Sequence, residues 1–259
     1  MQNTHSVKPI PYDPIPSSDI RSVSLTAPFK WLKAGARDFA DAPLMSLSYG
    51  LVFALIGLGI SYASINQPQF TLTFWTGFLL AGPFLAVGLY RAAQLREQGK
   101  PISAGVVLKS FQANKGQIAL FIAMMLLIMM AWIRFSTLMV AVYFGQLSPG
   151  IEAFSNALGS TEGMTFLAVL FASGAGFAFI VFAASALTLP MIIDGKSELI
   201  PALVTSFKAV LQQPGPMLIW AALIAGLTFL GIATLFIGLV FIFPLLGYAT
   251  WHSYKEMVK

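Results

Sequence analysis

Charged residues are missing from two long stretches of the chain. No Asp, Glu, Lys or Arg occurs in the 49 residues from Ala42 to Tyr90, or in the 46 residues from Ala209 to Tyr254. One crossing of a hydrocarbon core about 30 Å thick takes about 20 mostly apolar helical residues. Each stretch is therefore long enough to cross a bilayer twice, and the pattern predicts two helical hairpins.

The same pattern along the whole chain predicts an all-α, polytopic bundle of six membrane-spanning helices. A polar run at residues 66–69 marks the turn after the first helix. The last turn is expected near Gly231, with a re-entrant final hairpin as the alternative. The predicted crossings are Leu44–Ile65, Phe70–Tyr90, Gln117–Tyr143, Met164–Ile193, Met217–Leu230 and Thr234–Trp251.

The chain divides into a short tail and one membrane domain. Prolines stand at positions 9, 11, 14, 16 and 28, with no apolar block among them that could form a signal-peptide core. We expect residues 1–28 to be a disordered, Pro-rich cytoplasmic tail. Residues 29–259 then form the six-helix membrane domain.

The basic residues predict the orientation of the bundle. Fourteen of the fifteen Lys and Arg residues fall in segments on one side of the predicted crossings. The opposite side holds short turns and the loop around Glu152 and Glu162. Because basic loops stay in the cytoplasm, both termini are expected there.

Composition supports the membrane interpretation and narrows the chemistry. Hydrophobic residues make up 57% of the chain, charged residues 10%, and the mean hydropathy is +0.79. These values exclude a water-soluble fold. The net charge of +5 is explained by the basic residues that orient the bundle in the membrane. No nucleic-acid partner is therefore expected. The chain has no cysteine, which excludes disulfides and thiolate ligands.

A weaker pattern suggests a threefold internal repeat of helix plus hairpin. Three amphipathic segments each precede a hairpin whose second helix carries a proline, and they are expected to lie in the cytoplasmic interface. The segments are Lys30–Asp41, Ile102–Asn114 and Leu199–Gln212, and the prolines are Pro83, Pro190 and Pro244. Proline breaks a membrane helix and can build a central binding site, or it can simply shape helix packing.

Two ionisable residues are further candidate functional positions. Arg134 is the one charged residue inside a predicted crossing, near its outer end. It either pairs with an acidic residue or a lipid phosphate, or it makes a functional contact. His252 lies between Trp251 and Tyr254, which indicates an interfacial aromatic belt rather than a metal ligand.

No motif points to catalysis. The chain contains two histidines, too few for a haem-copper core. It has no phosphate-binding glycine loop, zinc-protease motif or nucleophile elbow. We therefore expect no enzyme activity, and predict no catalytic, cofactor-binding or metal-binding residue.

Four segments carry a resemblance to known sequences: Gly35–Phe39 with Pro43, Gly82–Tyr90, Pro214–Met217 and Phe243–His252. They resemble a family of bacterial six-helix integral membrane proteins of unknown function. The resemblance runs from about Phe29 to the end of the chain and implies an inner-membrane location. Some family members are labelled cytochrome c oxidase subunit I, but two histidines cannot supply that chemistry.

Small residues spaced four apart favour close helix packing. They occur at Gly77 and Ala81, Gly82 and Ala86, Ala172 and Gly176, Gly174 and Ala178, and Ala222 and Gly226. We therefore expect a non-catalytic accessory or structural subunit that contacts membrane lipid and packs against a membrane-protein partner or a second copy.

Two alternatives to the accessory subunit remain open. The first is a transporter or lipid-handling protein for an apolar solute, with its site at the broken helices. The second acts on lipid through the amphipathic helices and their Lys33, Lys109 and Lys208.

Overall fold

The computed structural model describes residues 20–63, 75, 78–79, 82–102, 105, 114–144 and 160–258. Every regular element in these residues is a helix, so the all-α prediction is confirmed for them. The helices are α1 (Ala27–Asp41), α2 (Pro43–Ala63), α3 (Val87–Glu97), α4 (Lys115–Phe144), α5 (Thr161–Ser185), α6 (Thr188–Ile193), α7 (Leu199–Gln212), α8 (Pro214–Ala233) and α9 (Leu239–Met257).

Four helical segments in the described residues are long and apolar enough to cross a membrane. They are Pro43–Ala63, Lys115–Tyr143, Thr161–Ile193 and Pro214–Ala233. These segments overlap the first, third, fourth and fifth predicted crossings. The predicted second crossing and the turn at residues 66–69 lie wholly or partly outside the described residues.

The final hairpin turns later in the chain than the sequence suggested. Residues 234–238 form the turn, and α9 begins at Leu239 rather than at Thr234. Leu235 and Phe236 adopt positive φ angles of 53° and 66°, which end α8 after Ala233. The Thr234 hydroxyl secures the turn, since it accepts a hydrogen bond from the Gly238 amide at 2.9 Å.

Helix α9 packs chiefly against α1 and α2, at very close range. A Cβ atom on Gly35 of α1 would lie 2.8 Å from the Leu245 carbonyl oxygen and the Ala249 nitrogen. Gly50 of α2 lies similarly close to the backbone of Val240. Small residues thus allow these backbones to approach, as is usual for helices packed in lipid.

The fourth predicted crossing is interrupted at Ala186 and Leu187, between α5 and α6. The Ser206 hydroxyl of α7 provides hydrogen-bond partners for the backbone groups at this break. It donates to the Ala183 carbonyl at 2.6 Å and accepts from the Leu187 amide at 3.1 Å. Thr205 and Ser206 on the polar side of α7 are therefore buried against the bundle. Its apolar face points outward, with Ile200 73% exposed, which suits a surface in contact with lipid.

Two predicted segments fall largely outside the described residues. Most of the amphipathic segment Ile102–Asn114, with Lys109, is one, and residues 1–19 of the predicted tail are the other. Residues 20–28, which were assigned to the tail, are described and packed. Ile20 forms a bridge with Val258, and α1 already begins at Ala27.

Candidate functional site

A cavity of about 810 Å³ lies between the helices. Its walls come from α2, α4, α5, α7, α8 and α9, from Leu79 and from residues 82–90. The lining is almost entirely apolar and, among the described residues, contains no charged side chain. Its polar groups are the hydroxyls of Tyr90, Ser185, Thr228 and Thr250 and the indoles of Trp132 and Trp220.

The cavity opens at the surface of the bundle, among exposed apolar side chains. Leu211 and Leu218 belong to its wall and are also 64% and 60% exposed at the protein surface. Phe179 of α5 likewise lines the cavity and is exposed at the protein surface. The opening therefore runs between α5 on one side and α7 with α8 on the other, and we name the whole cavity the lateral cleft.

The lateral cleft is elongated along α8. Pro214 and Thr228 both line it, and at a rise of 1.5 Å per residue they are about 21 Å apart along the helix axis. Its volume lies within the range of about 300–1,000 Å³ that is usual for small-molecule sites. A long, narrow, apolar molecule would fit this shape.

The three predicted prolines relate differently to the lateral cleft. Pro83 lines it directly, whereas Pro190 and Pro244 are buried and are not among its lining residues. A proline inside a helix leaves the carbonyl four residues earlier without its usual partner. For Pro190 that residue is Ala186, which lines the cleft, so this break lies beside it.

Charged side chains gather at one end of the bundle around Asp38. Arg96 of α3 forms ion pairs with both Asp38 and Asp41. His252 Nε2 lies 2.8 Å from Asp38 Oδ2. These contacts join α1, α3 and α9, and we call this end of the bundle the charged end.

A second group at the charged end surrounds Asp194, just after α6. Its carboxylate accepts hydrogen bonds from Gln94 Nε2 and the Tyr254 hydroxyl, both at 2.7 Å. Lys255 and Lys196 lie 3.6 Å and 3.7 Å away. Burial alone would raise the pKa of Asp194, but these hydrogen bonds and cations outweigh it and lower the pKa. Burial and the nearby Asp194 raise the pKa of the Tyr254 hydroxyl.

Both groups at the charged end are saturated with protein partners, which favours a structural role. They tie α1, α3, α6 and α9 together beside the lateral cleft. In the described part of the chain, no three His, Cys, Asp or Glu side chains converge as a metal site would require. His252 is held by Asp38, and its place in an interfacial aromatic belt stays a prediction.

Arg134 lies apart from the lateral cleft and the charged end. It is exposed on α4, and within the described residues it forms no ion pair with Glu162. Its other predicted acidic partner, Glu152, lies outside those residues. Pairing with lipid phosphate remains a prediction for this side chain.

Sequence reasoning missed the lateral cleft and the pairing partners of Asp38 and Asp194. The pairing has a faint sequence signal: both aspartates stand close to the end of a long, largely apolar stretch. The cleft has none, since its lining residues have the same composition as the outer surface of the bundle.

Comparison with known proteins supports the membrane assignment. Residues 71–194 match the model of a family described as predicted integral membrane protein (DUF2189). This range contains Gly82–Tyr90, one of the segments on which the resemblance rests, and the other segments lie outside it. No curated protein and no solved structure matches the chain. The match confirms that residues 71–194 resemble an uncharacterised family of integral membrane proteins.

Proposed function

We propose that this membrane protein binds a lipid-like, apolar molecule in the lateral cleft. The observation that carries the proposal is the cleft itself, with its volume of about 810 Å³, its apolar lining and its sideways opening. A molecule dissolved in the bilayer could enter it without passing through water. Lipid handling thus takes precedence over the accessory role that the sequence favoured.

The lining argues against a polar or ionic solute. Transport sites for such solutes carry polar or charged groups at membrane depth. The described lining offers only hydroxyls and indoles, and the Thr250 hydroxyl already donates to the Leu246 carbonyl at 2.7 Å. We propose a non-catalytic role, since the described lining residues include no reactive pair of side chains.

We also propose a topology of six crossings with both termini in the cytoplasm of a bacterial inner membrane. The distribution of Lys and Arg supports this orientation. The amphipathic helices α1 and α7 then lie at the cytoplasmic interface, as the first and third units of a threefold repeat. The charged end of the bundle faces the cytoplasm in this arrangement.

The test places a bulky tryptophan at a cleft-lining position of α8 and, as a control, at a neighbouring position of the same helix that does not line the cleft. Ala225 of α8 lines the cleft, whereas Ala222, one turn earlier, is exposed and is not among the lining residues. The purified protein is incubated with a diazirine-bearing fatty acid, irradiated and mapped by mass spectrometry. Wild type and A222W should be labelled on cleft peptides, and A225W should lose that labelling. Equal labelling of A222W and A225W would refute the proposal.

A second candidate is the accessory or structural subunit, favoured by exposed small-residue faces. Ala172 and Gly176 of α5 are exposed, as are Ala222 and Gly226 of α8. A Cβ atom at Gly176 or Gly226 would meet no atom within 4 Å among the described contacts. Such faces allow another helix to pack closely.

The packing role is tested by blocking one of these faces. Native mass spectrometry after mild extraction should show a second copy or a membrane partner with wild type, and less of it with Gly226→Leu. Recovery of wild type as a lone monomer would count against this candidate.

A further inference from the structure

The charged residues near the opening of the lateral cleft indicate which headgroup its ligand carries. We propose that the ligand is an anionic phospholipid, with one acyl chain in the cleft and its phosphate at Lys208. This inference rests on the proposed function and deepens it. It names the chemical class of the ligand and the residue that recognises its headgroup.

Lys208 of α7 is half-buried and lies two residues before Val210, the first residue of α7 in the cleft wall. It lies three residues before Leu211, so the two side chains are neighbours on the surface of α7. Leu211 belongs to the cleft wall and is largely exposed. Lys208 itself forms no ion pair in the described part of the chain. Its ammonium is therefore available to an anion that sits where the cleft meets the interface.

The segment just before α1 packs against the same end of the cleft. The Val23 amide donates to Gln213 Oε1 at 3.4 Å, just before α8 begins. The Leu25 side chain lies over Gly215 in the first turn of α8. These contacts bring the N-terminal part of α1 to the end of the cleft lined by Leu211 and Pro214. A headgroup there would lie between α1 and α7.

The charge on these two helices favours an anionic headgroup over a zwitterionic one. Lys30, Lys33 and Arg37 of α1 are all exposed, and their spacing places them along one side of the helix. Asp38 points inward, and Asp41 is paired with Arg96. The Glu256 carboxylate also meets α1, where it accepts a hydrogen bond from the Trp31 indole at 2.6 Å. The exposed side of α1 thus carries three cations, and the carboxylates that meet this helix in the described residues are each held by a protein partner, which suits an anionic leaflet.

The dimensions also fit a phospholipid. The chain would lie along α8 for the roughly 21 Å between Pro214 and Thr228, beside side chains that are nearly all apolar. The phosphate would stay at the interface, where lysine side chains are hydrated and near headgroups. The partner is then both a ligand of the cleft and a component of the surrounding leaflet.

The experiment compares two photoactivatable lipids with the same diazirine-bearing chains, a phosphatidylglycerol and a phosphatidylcholine. The full-length protein is reconstituted in nanodiscs, labelled with each lipid and mapped by mass spectrometry. The variants are K208Q and, as a matched control, K115Q. Lys115 is exposed at the same end of the bundle, at the start of α4 and away from the cleft lining.

In wild type the cleft peptides should be labelled more strongly by phosphatidylglycerol. K208Q should lower that labelling about fivefold, the effect of one basic residue near an anionic surface, and K115Q should leave it unchanged. Thermal unfolding of each variant verifies that the fold is retained. Equal labelling by both lipids, or equal effects of K208Q and K115Q, would overturn this inference alone. Absence of cleft labelling by either lipid would overturn the proposed function as well.

Discussion

Replacing Gly50 by alanine should loosen the contact between α2 and α9. A Cβ atom built on Gly50 points at the Val240 carbonyl, with the carbonyl carbon at 2.5 Å and the Cα atom at 2.8 Å. All three neighbours are backbone atoms, so no side chain can rotate away to make room. The new methyl group is accommodated only if the two helices separate.

The required separation sets the size of the effect. Ordinary van der Waals contact with a Cβ atom begins at 3.4 Å, so the 2.5 Å approach to the carbonyl carbon must widen by at least about 0.9 Å, and the carbonyl oxygen lies closer still. A gap of about 0.5–1 Å already forfeits a quarter to a half of the dispersion energy of the atoms that face it. The same interface holds the stacked rings of Phe53 and Phe243, 3.9 Å apart between centroids. Overpacking of this kind costs about 1–3 kcal/mol.

Gly59→Ala is the matched control for this substitution. Gly59 lies in the same helix, and a Cβ atom there meets no atom within 4 Å. Both variants gain helix propensity of up to about 1 kcal/mol, so the difference between them isolates the overpacking. Thermal unfolding of the two purified proteins in one mild detergent, followed by near-ultraviolet circular dichroism, should give a lower midpoint for Gly50→Ala. Equal midpoints would show that α2 and α9 do not approach as closely as described.

Two further predictions concern polar contacts that hold the bundle. The pKa of Asp194 is lowered in the folded state. The stability that the ionised Asp194 carboxylate contributes is therefore fully present above the unfolded pKa of about 4. It is lost as the pH falls through the folded pKa. Unfolding midpoints measured from pH 7 down to pH 3 should therefore drop more steeply for wild type than for Asp194→Asn, and parallel curves would contradict this assignment. Ser206→Ala should destabilise the protein by about 1–3 kcal/mol, because it leaves the Leu187 amide and the Ala183 carbonyl unpaired. Ser173→Ala, which removes only bonds to carbonyls of its own helix, should cost less in the same unfolding assay.

Hydropathy along the sequence was sufficient to locate helices whose apolar pattern lies within one continuous segment. The predicted crossing Gln117–Tyr143 falls within α4, and the amphipathic period over Leu199–Gln212 coincides with α7. In both cases the signal is contained in one continuous segment. The break near Pro190 was likewise anticipated, because proline acts on its own helix.

Features that depend on distant residues could not be read from the sequence. Gln94 and Asp194 are 100 positions apart, and Asp38 and His252 are 214 apart, so nothing local indicates that they meet. The turn at Leu235 and Phe236 needs positive φ angles in two large apolar residues, which local preference disfavours. The lateral cleft arises from how helices are spaced, and spacing leaves no mark on composition.

The indoles of Trp132 and Trp220 give the lateral cleft an optical reporter of its own. Both rings lie in its wall, and they stand in α4 and α8, in two different parts of the lining. Trp220 is fully buried and edge-on to Trp31 at 5.6 Å, so its emission reports on a dry, packed environment. Bromine atoms carried on an acyl chain would quench these two tryptophans at depths set by where along the chain they are placed. Quenching of these two among the five tryptophans of the chain would therefore report the position of a bound chain.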